Sequence, residues 1–127
     1  TSINNLLNIF LVASGGATGA LLRFFITNFF KTMSYYGFYG TLTVNILGSF
    51  LIGYLISLGY HKNFSENFIK YFLIIGLLGS FTTFSAFSYE VVNLYFSRKL
   101  FLALSYVLVS CMCCFAAAFI GMQFNKF

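Results

Sequence analysis

The sequence predicts an all-α integral membrane protein of four transmembrane helices, the third of them broken near Gly79–Thr83. Three observations carry that class. Of the 127 residues, 60% are hydrophobic and only 7% charged, where a soluble domain carries about 25% charge. Apolar residues run in stretches of roughly 20 or more, the length a helix needs to cross hydrocarbon. No alternating strand pattern is present, so a backbone in lipid must satisfy itself within helices. The chain therefore reads as one membrane domain, 1–127, with spans near 3–30, 38–60, 67–96 and 100–124. The formal charge of +5 does not make it a nucleic-acid binder, because its seven Lys and Arg are scattered among helix ends without a basic stripe. Nor does Thr1–Asn8, with no basic residue before the apolar run, read as a cleaved signal.

Span one carries Ser14-Gly15-Gly16-Ala17-Thr18-Gly19-Ala20 at its middle. Gly15-xxx-Gly19 is the small-residue spacing that lets two helices approach closely. Arg23 follows one turn later, and a cation inside a span is costly enough to argue for a water-filled vestibule that draws anions inward. Lys31–Gly37 reads as a short loop.

Span two places Thr41, Asn45, Ser49, Gly53 and Ser57 four residues apart. With 3.6 residues per turn, a four-residue spacing drifts around the cylinder by about 40° per step, so the two ends of the stripe face different neighbours. Asn45 is its costly member, since a buried amide needs partners for both oxygen and nitrogen. His61–Lys70 is the most polar segment and reads as a loop, with Ser65 a candidate cap for the next helix.

Span three contains Gly76–Glu90, a stretch with two glycines and five hydroxylated side chains other than tyrosine. Ser80 and the β-branched Thr82-Thr83 pair favour side-chain-to-backbone bonds that compete with the helical ladder. A broken membrane helix exposes carbonyls at one half-end and N–H groups at the other, which is how such proteins hold ions. The alternative is an unbroken helix whose small residues serve close packing. Arg98-Lys99 marks a tight turn. Span four sets Tyr106, Ser110 and Cys114 on one side at i, i+4, i+8. Cys111 and Cys114 share a face, Cys113 points elsewhere, and the three thiols read as small apolar residues.

Charge placement gives no preferred orientation. Four spans put Lys62, Lys70 and Lys126 on one side of the membrane and Lys31, Arg98 and Lys99, with Arg23, on the other. Positive residues normally gather in cytoplasmic loops; a balanced chain inserts either way up.

No catalytic constellation is present, and the chain is not expected to be an enzyme. His61 has no nucleophile beside it, and the two carboxylates are Glu66 in the polar loop and Glu90 near interfacial water. What remains suits a small ion. Phe81 and Phe84 stand at i, i+3 among Thr82, Thr83 and Ser85. Ring edges are weakly positive, while hydroxyls and the Asn45 amide are stronger donors. Weak, multiple contacts are what conduction needs, because the ion must also leave. On this reading Asn45→Ser, which keeps a donor, is expected to be milder than Asn45→Asp.

Three ordered motifs then meet a known family. Gly15-Gly16-Ala17-Thr18-Gly19 with Arg23, Gly40-Thr41-Leu42-Thr43-Val44-Asn45, and Gly76–Ser85 closely resemble the Fluc (CrcB) fluoride channels. The resemblance implies an antiparallel, dual-topology homodimer in the bacterial inner membrane, with two pores that passively export fluoride. It implies Phe81 and Phe84 as the fluoride-lining phenyl pair, Asn45 as the pore amide and Arg23 as the vestibule cation. Thr41, Thr83 and Ser85 join these as hydroxyls of the pore, and Tyr106 and Ser110 fall on a polar pore track. Cys114 departs from the serine expected one turn further on. It also implies a structural Na+ on the dimer axis, held by the backbone carbonyls of Gly79 and Thr82. Two other functions remain open from the residues alone. A small dual-topology multidrug exporter requires a carboxylate in span one, and none is there. A purely structural membrane subunit explains the small-residue faces but not Asn45, Arg23 or the Thr82-Thr83 pair.

Overall fold

The computed structural model describes residues 2–33, 36–61 and 66–124. They form α1 (Ser2–Met33), α2 (Phe38–His61), a third rod in two pieces, and α5 (Leu100–Gln123). The third rod is α3, a π-helical stretch Phe68–Leu78 that tightens into one α turn at Gly79–Phe81, followed by α4 (Phe84–Phe96). All four rods are long and apolar enough to cross a membrane. This is a multi-pass, all-helical membrane protein.

Two helices extend into segments whose polar residues predict a loop. Lys31 belongs to the last turn of α1, where a cation complements the negative end of the helix dipole. No glycine or proline lies between Arg23 and Met33 to stop the helix sooner. Lys70 likewise lies inside α3. Ser65, Lys62 and Lys126 fall outside the described residues. The π-helical winding of Phe68–Leu78 has no counterpart in residue propensities. Its end is marked by Gly79, whose N–H is shared between the Ile74 and Gly76 carbonyls.

The rods pair as α1 with α3 and α2 with α5, and α4 leans on α5 and α2. Bare backbone makes both main pairings possible. A Cβ added at Gly19 would collide with the Leu77 carbonyl, and one at Gly53 with the Ala118 carbonyl. Without a hydrophobic driving force between helices in lipid, this closeness is the source of packing energy. The Gly15-xxx-Gly19 face is thus used within the chain, against α3. The stripe on α2 drifts as its spacing requires: Thr41 meets α4 through Glu90, Asn45 meets the junction at Thr83, and Gly53 meets α5.

Two small cores flank the α3–α4 junction. Phe38, Phe87, Leu94, Ala103 and Tyr106 form one; Val44, Leu78 and Phe81 form the other. Most remaining large apolar side chains, Phe101 and Phe115 among them, are exposed, as surfaces bathed in hydrocarbon are. The α4–α5 turn closes by backbone alone. Lys99 N–H donates to the Leu94 carbonyl and Arg98 N–H to the Tyr95 carbonyl, with Arg98 in the left-handed region at φ 61°. That is a Schellman closure with arginine in the position glycine usually takes.

Candidate functional site

The site is built around two residues that leave the helix. Thr82 (φ −83°, ψ 156°) and Thr83 (φ −149°, ψ 118°) are extended between α3 and α4. Several of the polar groups released there find side chains. Thr82 stays tied to α3 through its own N–H and hydroxyl, both donated to the Leu78 carbonyl. Asn45 takes Thr83 on both sides: Thr83 N–H donates to Asn45 Oδ1 at 2.8 Å, and Asn45 Nδ2 donates to the Thr83 carbonyl at 3.1 Å. A side-chain amide thus pairs with an extended residue as a neighbouring strand would. Thr83 Oγ1 then caps α4 by accepting Ala86 N–H at 3.1 Å and lies 3.2 Å from Ser85 Oγ. On α1, Arg23 Nε donates to the Ser80 carbonyl at 3.0 Å, setting a cation at the C-terminal end of α3 where the dipole favours it. Gly48 leaves room for the Thr82 methyl, since a Cβ there would overlap it.

Two cavities meet at this junction, and Thr83 lines both. One, of about 480 Å³, is a polar chamber with Arg23, Lys31, Thr41 and Glu90 in its walls. The other, of about 470 Å³, is mostly apolar and is lined by Asn45, Ser49, Gly79, Thr82, Phe84 and Ser110, with Cys111 and Cys114. Ser110 is 5% exposed, and its Oγ has no hydrogen-bond partner among the described residues. A buried hydroxyl without a partner is rare enough to point to a guest.

Most of the expected site residues gather here, but Phe81, Asn45 and Tyr106 are used differently. Phe81 and Phe84 do not share a face. The extended pair between them cancels the 100° per residue on which i, i+3 reasoning rests, so Phe84 is 78% exposed in the cavity wall while Phe81 is 5% exposed beside Val44 and Leu78. Asn45 spends one donor and its acceptor on Thr83, which changes the expectation for Asn45→Ser: a short hydroxyl cannot bridge both Thr83 groups. Tyr106 turns from Ser110 toward α4 and donates to Glu90 Oε1 at 2.9 Å, while Thr41 Oγ1 donates to Oε2 at 2.9 Å.

The structure adds Glu90, Lys31 and Ser49 to the cavity walls, which the sequence does not assign to a site. Glu90 carried a signal, being the one acidic side chain within the four spans, and such residues are functional by default. The structure engages both its oxygens rather than leaving it to interfacial water. Lys31 falls in a segment that the sequence predicts as loop, and the last turn of α1 carries it into the polar chamber. Ser49 belongs to the four-residue stripe in the sequence, and the structure sets it in the same cavity wall as Ser110 and Cys114.

Comparison with known proteins gives the chain its family. The family model described as CrcB-like protein, Camphor Resistance (CrcB), matches residues 10–122. A protein named fluoride-specific ion channel FluC from Agrobacterium fabrum is 39% identical over 122 residues, covering 95% of this chain and 98% of the relative. Proteins of the same name from Idiomarina loihiensis and Parabacteroides distasonis are 42% and 38% identical. The first covers 94% of this chain and 93% of the relative, the second 95% and 94%. With the family model spanning nearly its whole length, the chain belongs to the CrcB-like family.

Proposed function

We propose that this chain is the subunit of a fluoride-selective channel that passively exports cytoplasmic fluoride across a bacterial inner membrane. The observation that carries the reading is Thr83, which stands between a chamber holding two cations and a drier cavity holding unspent donors. Relatives named as fluoride-specific channels supply the ion. An anion is drawn to Arg23 and Lys31, passes the hydroxyls of Thr41, Thr83 and Ser85, and meets the second Asn45 N–H. Beyond Thr83 it finds the Phe84 ring edge and the unpartnered Ser110 hydroxyl. Phe81 lies directly behind the wall, its ring 3.6 Å from where a Gly48 Cβ would stand. Tyr106 and Thr41 hold the Glu90 carboxylate, so this negative charge is tied by donors at the chamber edge. Chloride, larger and a poorer hydrogen-bond acceptor, gains less from such contacts.

The working unit of this proposal is an antiparallel, dual-topology homodimer with two pores, in keeping with the balanced lysines and arginines. A Na+ on its axis fits the residues present. In a continuous helix the Gly79 carbonyl would accept Thr83 N–H and the Thr82 carbonyl Ala86 N–H, but those donors go to Asn45 and to Thr83 Oγ1. Two carbonyls per chain are left without their ladder partners, and both residues line the cavity. Hard oxygen donors of this kind suit an alkali cation; bound there, it would offset their partial charges and fix the junction.

The test is efflux from liposomes carrying purified protein, read with fluoride and chloride electrodes. Rapid fluoride release with chloride retained is the expected result. Equal release of both ions, or none of fluoride from well-folded protein, overturns the reading. Labelling of a terminal tag from both sides of sealed vesicles tests dual topology, and labelling from one side alone rejects it.

A further inference from the structure

The thiols of α5 have no part in the path described above. Cys111 and Cys114 nevertheless line the same 470 Å³ cavity, and Cys113 does not. At i, i+3 on a helix two side chains are neighbours, with Cβ atoms about 5–6 Å apart, whereas i, i+2 faces away. The same wall carries the buried Ser110 hydroxyl, which has no partner among the described residues, so this mostly apolar cavity has a polar spot for a guest. Among the described residues no three His, Cys, Asp or Glu side chains gather as metal ligands. A four-ligand zinc site is therefore not available from them. Two sulfurs match instead a soft monovalent d10 cation, which thiolates select and which accepts two ligands in line.

We propose that Cys111 and Cys114 together bind a soft monovalent d10 cation such as Cu(I), and that binding closes this cavity to anions. The step balances without redox change. One M⁺ meets two thiols, two metal–sulfur bonds form, and both S–H protons leave to water, giving a bis-thiolate complex of net charge −1. A fixed negative charge in a mostly apolar cavity repels an approaching anion far more strongly than it would in water. Closure rests on the proposed path past Thr83; binding does not.

The experiment titrates the full chain in detergent with Cu(I), held reduced by ascorbate, against a chromogenic Cu(I) chelator. One ion per chain is expected for the natural sequence and for Cys113→Ser. Cys111→Ser and Cys114→Ser should each lose competition with the chelator, because one thiolate alone cannot form the bis-thiolate complex, with unchanged size-exclusion profiles. No competition with the chelator by the natural sequence, or equal loss in Cys113→Ser, overturns the site. In liposomes, Cu(I) should slow fluoride efflux through the natural sequence and Cys113→Ser and spare Cys111→Ser. Bound Cu(I) with undiminished efflux overturns closure. Absence of fluoride efflux before any metal is added fails the channel reading, and the detergent titration still decides the site.

Discussion

The chain interrupts its helices in two ways that differ in where the lost hydrogen bonds go. At Ser97–Lys99 the turn closes locally, with backbone donors finding backbone acceptors within five residues. At Thr82–Thr83 the junction borrows from α1 and α2, using Arg23, 57 residues from Ser80, and Asn45, 38 residues from Thr83. A locally closed turn takes its backbone hydrogen bonds from its own sequence, and here the Lys99 ammonium, 3.3 Å from the Tyr36 hydroxyl, adds a long-range tie. A junction held from outside depends on three helices being in register, and its opening leaves carbonyls and hydroxyls facing a cavity. The first kind ends a helix; the second makes a site.

Removing the borrowed bonds should therefore have the largest effect. Asn45→Ala leaves the N–H and C=O of Thr83 without partners in a part-buried position, at about 1–3 kcal/mol each. Asn45→Asp keeps the acceptor for Thr83 N–H but turns an oxygen on the Thr83 carbonyl. Both should abolish fluoride efflux and lower the thermal unfolding temperature in detergent. Asn45→Ser should resemble Asn45→Ala and not the natural protein. Retention of most efflux by Asn45→Ser would mean that a lone donor suffices, and that the Thr83 pairing is incidental to conduction.

How much of this was legible follows the same division. The spans were readable because hydrocarbon imposes length and apolarity on each helix separately. Gly15 and Gly19 were readable because their spacing is helical and α1 is unbroken around them. Thr82-Thr83 was singled out by chemistry local to those two residues. The Asn45–Thr83 pairing was not legible, because no local rule links positions 38 apart. Phe81 and Phe84 show the cost of carrying a local rule across such a junction: helical spacing placed them together, and two extended residues set one in the core and one in the wall. The π-helical winding of α3 left no trace in composition. Glu90 was visible as a lone carboxylate, but its partners Thr41 and Tyr106 come from two other helices.

The phenylalanines sharpen the comparison next. Phe84→Ile changes an exposed ring and should leave stability nearly unaltered while efflux collapses, since an aliphatic group offers no positive edge to an anion. Phe81→Ile alters the core beside Val44 and Leu78 and should cost up to about 1.5 kcal/mol, the usual range for apolar swaps of similar volume. Its efflux should also fall. Wild-type efflux in both folded variants would make the rings packing and remove them from the proposed path.

Arg23 ranks below these because a second cation, Lys31, shares its chamber. Arg23→Gln keeps a donor in reach of the Ser80 carbonyl but removes the charge. Stability should fall by about 1 kcal/mol, as expected for losing a charge-assisted bond at a helix end. Efflux should slow most at low ionic strength, where attraction of anions is least screened. A loss independent of salt would assign Arg23 to holding α3 alone.

The smallest effect belongs to the turn that closes itself. Arg98 sits at φ 61°, a region in which a side chain with a Cβ is strained by about 1 kcal/mol relative to glycine. The hydrogen bonds around it, Arg98 N–H to Tyr95 and Lys99 N–H to Leu94, are all backbone and survive any substitution that tolerates the angle. Arg98→Gly should therefore stabilise the protein by roughly 0.5–1 kcal/mol, partly offset by the greater freedom of glycine in the unfolded chain. Efflux per functional channel should not change, because Arg98 lines neither cavity. Thermal unfolding in detergent reads the first part and liposome efflux the second. The reverse pattern, lower stability with altered efflux, would show that the α4–α5 turn is coupled to the junction, and the division between self-closed and borrowed interruptions would fail.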